Sequence, residues 1–215
     1  IRSLMNEFLP QVVVGTGGYA SALPLYMASK KNNPLPIILQ EQNSYPGMTT
    51  RWFADKAKTI CVAFNDANTH LESDTVLTGN PVRHGIADGN PQRGFKEFKL
   101  AEDPKTIFLF GGSQGSAYLN KMMSQVVANI AGAGLQILWQ TGDLEYIKYR
   151  SMESDNIRIV PFIHNMADAY AIADLIICRS GALTLAEVTV CGKPAILIPF
   201  PFAAGDHQTK NAQAL

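Results

Sequence analysis

Short apolar runs alternate with helix-length stretches along the whole chain. The pattern predicts strands over 11–14, 36–39, 59–63, 74–77, 105–110, 135–140, 156–160, 174–178 and 194–198. It predicts helices over 18–30, 47–56, 116–131, 143–151, 164–173, 182–191 and 207–215. The strand runs are rich in Val, Ile and Leu and do not alternate with polar residues, as expected of parallel strands covered on both faces. Repeated β–α units imply an α/β protein with doubly wound sheets. Residues 78–104 lack periodicity and carry Gly79, Pro81, Gly85, Gly89, Pro91 and Gly94, which marks a domain boundary. The expected organisation is therefore a first domain over 1–82, a linker over 83–104 and a second domain over 105–215. The first domain has fewer β–α units than the second. It is expected to be the C-terminal part of a domain lacking about two units, the chain being read as a fragment cut at both ends.

Two glycine loops directly follow strand runs. Gly15-Thr16-Gly17-Gly18 follows Val12-Val13-Val14, and Gly111-Gly112-Ser113-Gln114-Gly115 follows Ile107-Phe108-Leu109-Phe110. A strand, a glycine turn and a helix N-terminus together form an anion cradle, because glycine permits close backbone approach and free N–H groups favour phosphate. Neither loop reads G-x-G-x-x-G, which argues against a dinucleotide site of the dehydrogenase kind.

A third small-residue turn, Arg179-Ser180-Gly181, leads into Ala182-Leu183-Thr184-Leu185-Ala186-Glu187. Backbone N–H groups of Ala182, Leu183 and Thr184 could face a phosphate, and Glu187, about one and a half turns further on, could accept both hydroxyls of a ribose. The plainer alternative is that Ser180 caps the helix and Glu187 is a solvated charge. After the run at 194–198 comes Asp206-His207-Gln208-Thr209-Lys210-Asn211. Polar side chains at such strand ends are where open α/β sheets bind ligands, although Asp206 could be a simple N-cap. Gln40-Glu41-Gln42-Asn43 and Gly79-Asn80-Pro81-Val82-Arg83 are two further polar loops. Arg83 offers a fork donor for a pyrophosphate, or is a surface arginine.

Composition narrows the field. The 215 residues have zero formal net charge, which leaves no nucleic-acid footprint, and no apolar run has the length of a membrane span. Cys61, Cys178 and Cys191 lack C-x-x-C spacing and read as buried thiols in a reducing compartment. His70, His84, His164 and His207 are scattered and no D-x-D pair exists, so no metal site and no cofactor is expected. No G-x-S-x-G elbow occurs. The stretch Arg51, Trp52, Phe53, Lys56 and Lys58 could touch a membrane surface, but a helix packing its Trp and Phe inward fits better.

Taken together, GTGGYAS at 15–21, Glu41-Gln42-Asn43 with Gly47, GNPVR at 79–83, GGSQG at 111–115, CRSGALTLAE at 178–187 and HQTKNA at 207–212 resemble the MurG family, the membrane-associated N-acetylglucosaminyltransferases of peptidoglycan synthesis. The resemblance covers the whole chain in order. Gln40 departs from it, standing where the family commonly has histidine. The resemblance implies two Rossmann-like domains in the GT-B arrangement. It implies inverting transfer of GlcNAc from UDP-GlcNAc to the 4-hydroxyl of undecaprenyl-pyrophosphoryl-MurNAc-pentapeptide, without a metal, at the cytoplasmic face of the bacterial inner membrane.

On the donor side the resemblance implies that backbone at Ile163 holds the uracil and Glu187 the ribose. Ser113, Ala182, Leu183, Thr184 and Arg83 would hold the diphosphate, and His207, Gln208 and Asn43 the sugar. On the acceptor side it implies Gly17, Gly18, Tyr19, Ser21, Glu41 and Gln42. It gives no catalytic residue here, the general base being expected upstream of Ile1, so residues 1–215 alone are expected to be inactive while still binding UDP-GlcNAc weakly. Two other classes remain open. A UDP-GlcNAc epimerase would act without an acceptor, and a non-catalytic UDP-sugar-binding module would turn nothing over.

Overall fold

The computed structural model describes residues 1–30 and 34–215. Among the described residues there are nine strands and nine α-helices, alternating except that β4 follows β3 after a 3-10 turn. In chain order they are α1 (Arg2–Phe8), β1 (Val13–Gly15), α2 (Gly18–Ser29), β2 (Ile37–Glu41), α3 (Met48–Phe53), β3 (Thr59–Val62), β4 (Thr75–Leu77), α4 (Pro91–Phe98), β5 (Thr106–Phe110), α5 (Ala117–Gly132), β6 (Gln136–Gln140), α6 (Asp143–Tyr149), β7 (Ile157–Val160), α7 (Met166–Ile172), β8 (Leu175–Cys178), α8 (Ala182–Val190), β9 (Ala195–Leu197) and α9 (His207–Gln213). All nine predicted strands and all seven predicted helices are present. The two helices that the pattern did not predict are α1 and α4.

The chain divides into two compact units, one of residues 1–81 with 201–215, the other of residues 82–200. The first holds a four-stranded sheet in the order β1-β2-β3-β4, all parallel, in the register Ile38↔Thr59 and Ile60↔Thr75. Leu25 and Ala28 of α2 pack with Ile37, Leu39, Ile60, Val62 and Phe53 as its core. The second holds a five-stranded parallel sheet in the order β7-β6-β5-β8-β9. Alternate residues of β5 serve opposite faces. Phe108 and Phe110 join one apolar cluster with Tyr170 and Ile176, and Leu109 joins another with Leu119, Met123 and Trp139. This two-sided burial is why the strands read as continuous apolar runs.

The segment 83–104, expected as a linker region, groups with the second unit and carries α4. Asn90 caps α4 by accepting the Arg93 N–H at 2.8 Å, Pro91 opens the helix, and Phe98 is buried. Gly89 and Gly94 let α4 approach α7 closely. A Cβ on Gly89 would lie 1.9 Å from the Ala167 carbonyl, and one on Gly94 2.8 Å from that of Asp168. Of the aromatic pair in α3, Phe53 points inward but Trp52 is 57% exposed. Of the three thiols, only Cys178 is fully buried, which pushes its pKa up to about 12. Cys61 and Cys191 are half-buried.

Residues 201–215, expected with the second domain, belong to the first unit. Asn211 of α9 is buried. Its Oδ1 accepts from Ser44 N at 2.9 Å and from Ser44 Oγ at 3.1 Å, and its Nδ2 donates to Asn43 Oδ1 at 3.1 Å.

Candidate functional site

In the second unit the strand order reverses direction between β5 and β8, which both lie inside the sheet. Open α/β sheets bind ligands beyond the C-terminal ends of strands at such a point. The loops leaving these two strands are the second glycine loop and Arg179-Ser180-Gly181. The glycine loop is shaped by backbone that L side chains rarely adopt, with φ +97° at Gly112 and +76° at Gly115. A Cβ on Gly115 would sit 1.9 Å from the Thr141 carbonyl, so this position also requires close backbone contact with the β6–α6 turn. Ser113 stands exposed on the loop.

Gln140, at the end of β6, is buried and ties this loop to the next. Its Nε2 donates to the Gly112 carbonyl at 3.0 Å, and its Oε1 accepts the Ile163 N–H at 2.9 Å. The Ile163 amide is thus engaged with the protein.

Arg179 follows β8 and is buried, with no ion pair to a carboxylate among the described residues. Nη1 donates to the carbonyls of Ile198 and Pro199, at 3.1 and 2.8 Å, and Nη2 donates to Ser116 Oγ at 3.0 Å. The guanidinium lies against the rings of Tyr118 and Phe200, and desolvation holds its pKa below the usual arginine value. Arg179 therefore locks the N-terminus of α5, where Ser116 is the cap, to the end of β9. Gln140 was not singled out from the sequence, and Arg179 was named there only as part of its turn, with no role. The signal available was position alone, each standing at the C-terminal edge of a strand.

Helix α8 begins after Gly181, which holds the N-cap position, and Ser180 stands one residue before it. Glu187 lies further along α8 with its side chain 16% exposed. Tyr170 Oη donates to Glu187 Oε2 at 2.9 Å, and Arg83 Nη2 lies 3.5 Å from Glu187 Oε1. Glu187 is thus a held carboxylate, and Arg83 stands beside it. The structure brings Arg83, Ser113, Ile163, Ala182, Leu183, Thr184 and Glu187 onto one unit.

The remaining expected residues belong to the first unit. A pocket there is lined by Gly18, Tyr19, Asn43, Tyr45, Arg51 and His207, among others. Positive φ at Gly17 and Gly18, +84° and +72°, turns the chain from β1 into α2, and Ser21 Oγ donates to the Gly17 carbonyl. Glu41 is buried beneath its own loop. Oε1 accepts from Asn43 N at 3.0 Å and Nδ2 at 3.3 Å, while Oε2 accepts from Gly47 N at 3.0 Å. Its carboxylate shapes the loop that the resemblance places on the acceptor side. The Gln42 carbonyl accepts from Asn80 Nδ2 at 2.9 Å, and Gln40 Nε2 donates to Asn80 Oδ1 at 3.0 Å. His207 Nδ1 lies 2.8 Å from the Ala204 carbonyl, and Gln208 follows it on α9. Arg51 and Lys210 both lie over the Tyr45 ring, at 5.3 and 3.4 Å from its centroid, giving this region a cationic lining that the sequence reading did not identify. Among the described residues no group of three or more His, Cys, Asp or Glu could hold a metal ion.

Comparison with known proteins shows the family and the fold. The family description "Glycosyltransferase family 28 C-terminal domain" matches residues 106–215, and "Glycosyltransferase family 28 N-terminal domain" matches residues 1–62. The chain is 41% identical over 216 residues to a protein of Flavobacterium psychrophilum named UDP-N-acetylglucosamine--N-acetylmuramyl-(pentapeptide) pyrophosphoryl-undecaprenol N-acetylglucosamine transferase. The match takes in 99% of this chain and 58% of that protein. The crystal structure of Acinetobacter baumannii MurG superposes with a TM-score of 0.74 at 31% identity, over 98% of this chain and 58% of that one. The UDP-GlcNAc 2-epimerase of Methanocaldococcus jannaschii superposes with a TM-score of 0.63 at 14% identity, over 99% of this chain and 71% of that one, a likeness of fold alone. The chain spans about 58% of the length of the relatives it matches at high identity.

Proposed function

This chain belongs to glycosyltransferase family 28, and we propose that it serves the transfer of GlcNAc from UDP-GlcNAc to the 4-hydroxyl of undecaprenyl-pyrophosphoryl-MurNAc-pentapeptide in peptidoglycan synthesis. The observation that carries this reading is the held carboxylate of Glu187 on α8, the helix that opens after Gly181 beside the strand-order reversal. That combination suits a nucleoside diphosphate. The ribose hydroxyls donate to Glu187, while the phosphates take the N–H groups of Ala182, Leu183 and Thr184, with Ser113 and Arg83 in support. The uracil falls to the backbone of Ile163, through its carbonyl, since its N–H is spent on Gln140.

Asn43, His207 and Gln208 are assigned to the sugar hydroxyls. Gly17, Gly18, Tyr19, Ser21 and Gln42 are assigned to the acceptor, with Glu41 holding the loop that presents Asn43. Arg51 and Lys210 supply positive charge suited to an anionic acceptor group. The reaction is a single displacement. The acceptor oxygen bonds to C1 of GlcNAc with inversion, the C1–O bond to UDP breaks, and a base takes the hydroxyl proton. The protein's contribution is alignment of the two reactants and stabilisation of charge on the departing diphosphate. Among the described residues no helix is long and apolar enough to cross a membrane. The lipid-linked acceptor is what supports a peripheral position at the cytoplasmic face of the bacterial inner membrane.

The test is incubation of the protein at the full length of its relatives with UDP-GlcNAc, with and without the lipid-linked acceptor. UDP release that requires the acceptor and yields the GlcNAc–MurNAc product is expected. Epimerisation of UDP-GlcNAc in the absence of acceptor would overturn the assignment.

A further inference from the structure

We propose that Tyr170 is the positioning residue that sets the ribose selectivity of the site, by holding one oxygen of the Glu187 carboxylate so that the other faces the nucleotide. The inference rests on the reading that Glu187 binds a ribose. Tyr170 lies on α7 and is 1% exposed. Its ring stands edge-on to Phe108 and Phe110, with centroids 5.9 and 6.1 Å away, so packing against β5 fixes the direction in which the hydroxyl points. That hydroxyl donates to Glu187 Oε2 at 2.9 Å, while Oε1 is the oxygen nearer Arg83.

A glutamate has three rotatable side-chain bonds. On a helix surface it samples several rotamers, and recognising a diol by two hydrogen bonds requires one of them. A buried hydroxyl donor selects that rotamer before the ligand arrives, which lowers the cost of binding. Burial and the neighbouring carboxylate both raise the Tyr170 pKa, so the phenol stays a donor across the physiological range. Arg83 cannot do this work, because its side chain is 62% exposed and lies at 3.5 Å from the carboxylate.

The experiment measures, by calorimetry, affinity for UDP and for 2′-deoxy-UDP in the wild type, Tyr170→Phe, Glu187→Ala and the double variant. Tyr170→Phe keeps the ring in its aromatic cluster and removes only the donor. It should weaken UDP about five- to tenfold, change 2′-deoxy-UDP less, and so narrow the preference between them. The double variant should bind no more weakly than Glu187→Ala alone, because the tyrosine acts through the glutamate. If Glu187→Ala loses the preference and Tyr170→Phe keeps it, the role of Tyr170 is overturned while the ribose reading stands. If Glu187→Ala keeps the preference, the ribose reading falls and the inference with it. Glu187→Asp, which draws the carboxylate away from the Tyr170 hydroxyl, gives a second measure that does not depend on the fold of the tyrosine variant. Wild-type preference in it would also overturn the role.

Discussion

Asn211 and Ser44 are 167 positions apart in the chain, yet Ser44 donates both its backbone N–H and its hydroxyl to the Asn211 amide oxygen, at 2.9 and 3.1 Å. Both residues are buried, at 0% and 3% exposure, so neither donor has water to fall back on. The pair joins the C-terminal helix α9 to the loop that follows β2.

Replacing Asn211 with Ala should therefore destabilise the first unit by about 2 kcal/mol, the range for leaving buried donors unpaired. Denaturant titration checks the magnitude. Hydrogen exchange should show the lost protection concentrated in 207–213 and 43–47, and uniform loss across the protein would contradict the local role.

Glu187→Ala should weaken UDP binding roughly ten- to a hundredfold, since a hydrogen bond to a charged group is worth about 1.5–3 kcal/mol. Calorimetry reads this directly, and unchanged affinity would remove Glu187 from the site.

The glycine loop allows a graded test. Gly112→Ala meets only the unfavourable φ, because nothing lies within 4 Å of its Cβ, and should cost about 1–2 kcal/mol. Gly115→Ala meets the unfavourable φ and a carbonyl at 1.9 Å, and should cost more. Thermal unfolding of the two variants should rank them in that order, with Gly115→Ala also losing UDP affinity.

Asp168 is buried on α7 and accepts from Asn90 N at 2.7 Å, from Asn165 Nδ2 at 2.6 Å and from the Arg93 guanidinium. The Arg93 hydrogen bond is the largest of the causes that hold its pKa below the usual carboxylate value. A group whose folded pKa is depressed contributes stability above its unfolded pKa, about 3.9, and loses it as pH falls through the lower folded value. Asp168→Asn should thus lower the urea midpoint at pH 7, and the gap from wild type should close as pH drops below about 4. A gap that persists unchanged at pH 2 would show that the carboxylate's charge is not what matters.

How much of the molecule was legible follows from the range of the forces involved. The β–α alternation, the two glycine turns and Glu187 on the helix after β8 are local patterns. Strand burial on both faces and backbone demands at single glycines imprint them directly on neighbouring residues. Helix α4 was partly legible too, since Asn90-Pro91 is a cap followed by a first-turn proline, but Gly89 and Gly94 read as breakers until α7 was seen packed against them. What only the tertiary structure decided is which distant groups share a partner. Asn211 carries residues 201–215 to the first unit, Tyr170 meets Glu187, Gln140 joins the Gly112 and Ile163 loops, and Arg179 links α5 to the end of β9. Each of these is a polar group removed from water that must find its hydrogen bond wherever the fold supplies one. That requirement acts through space and leaves no periodic trace along the chain.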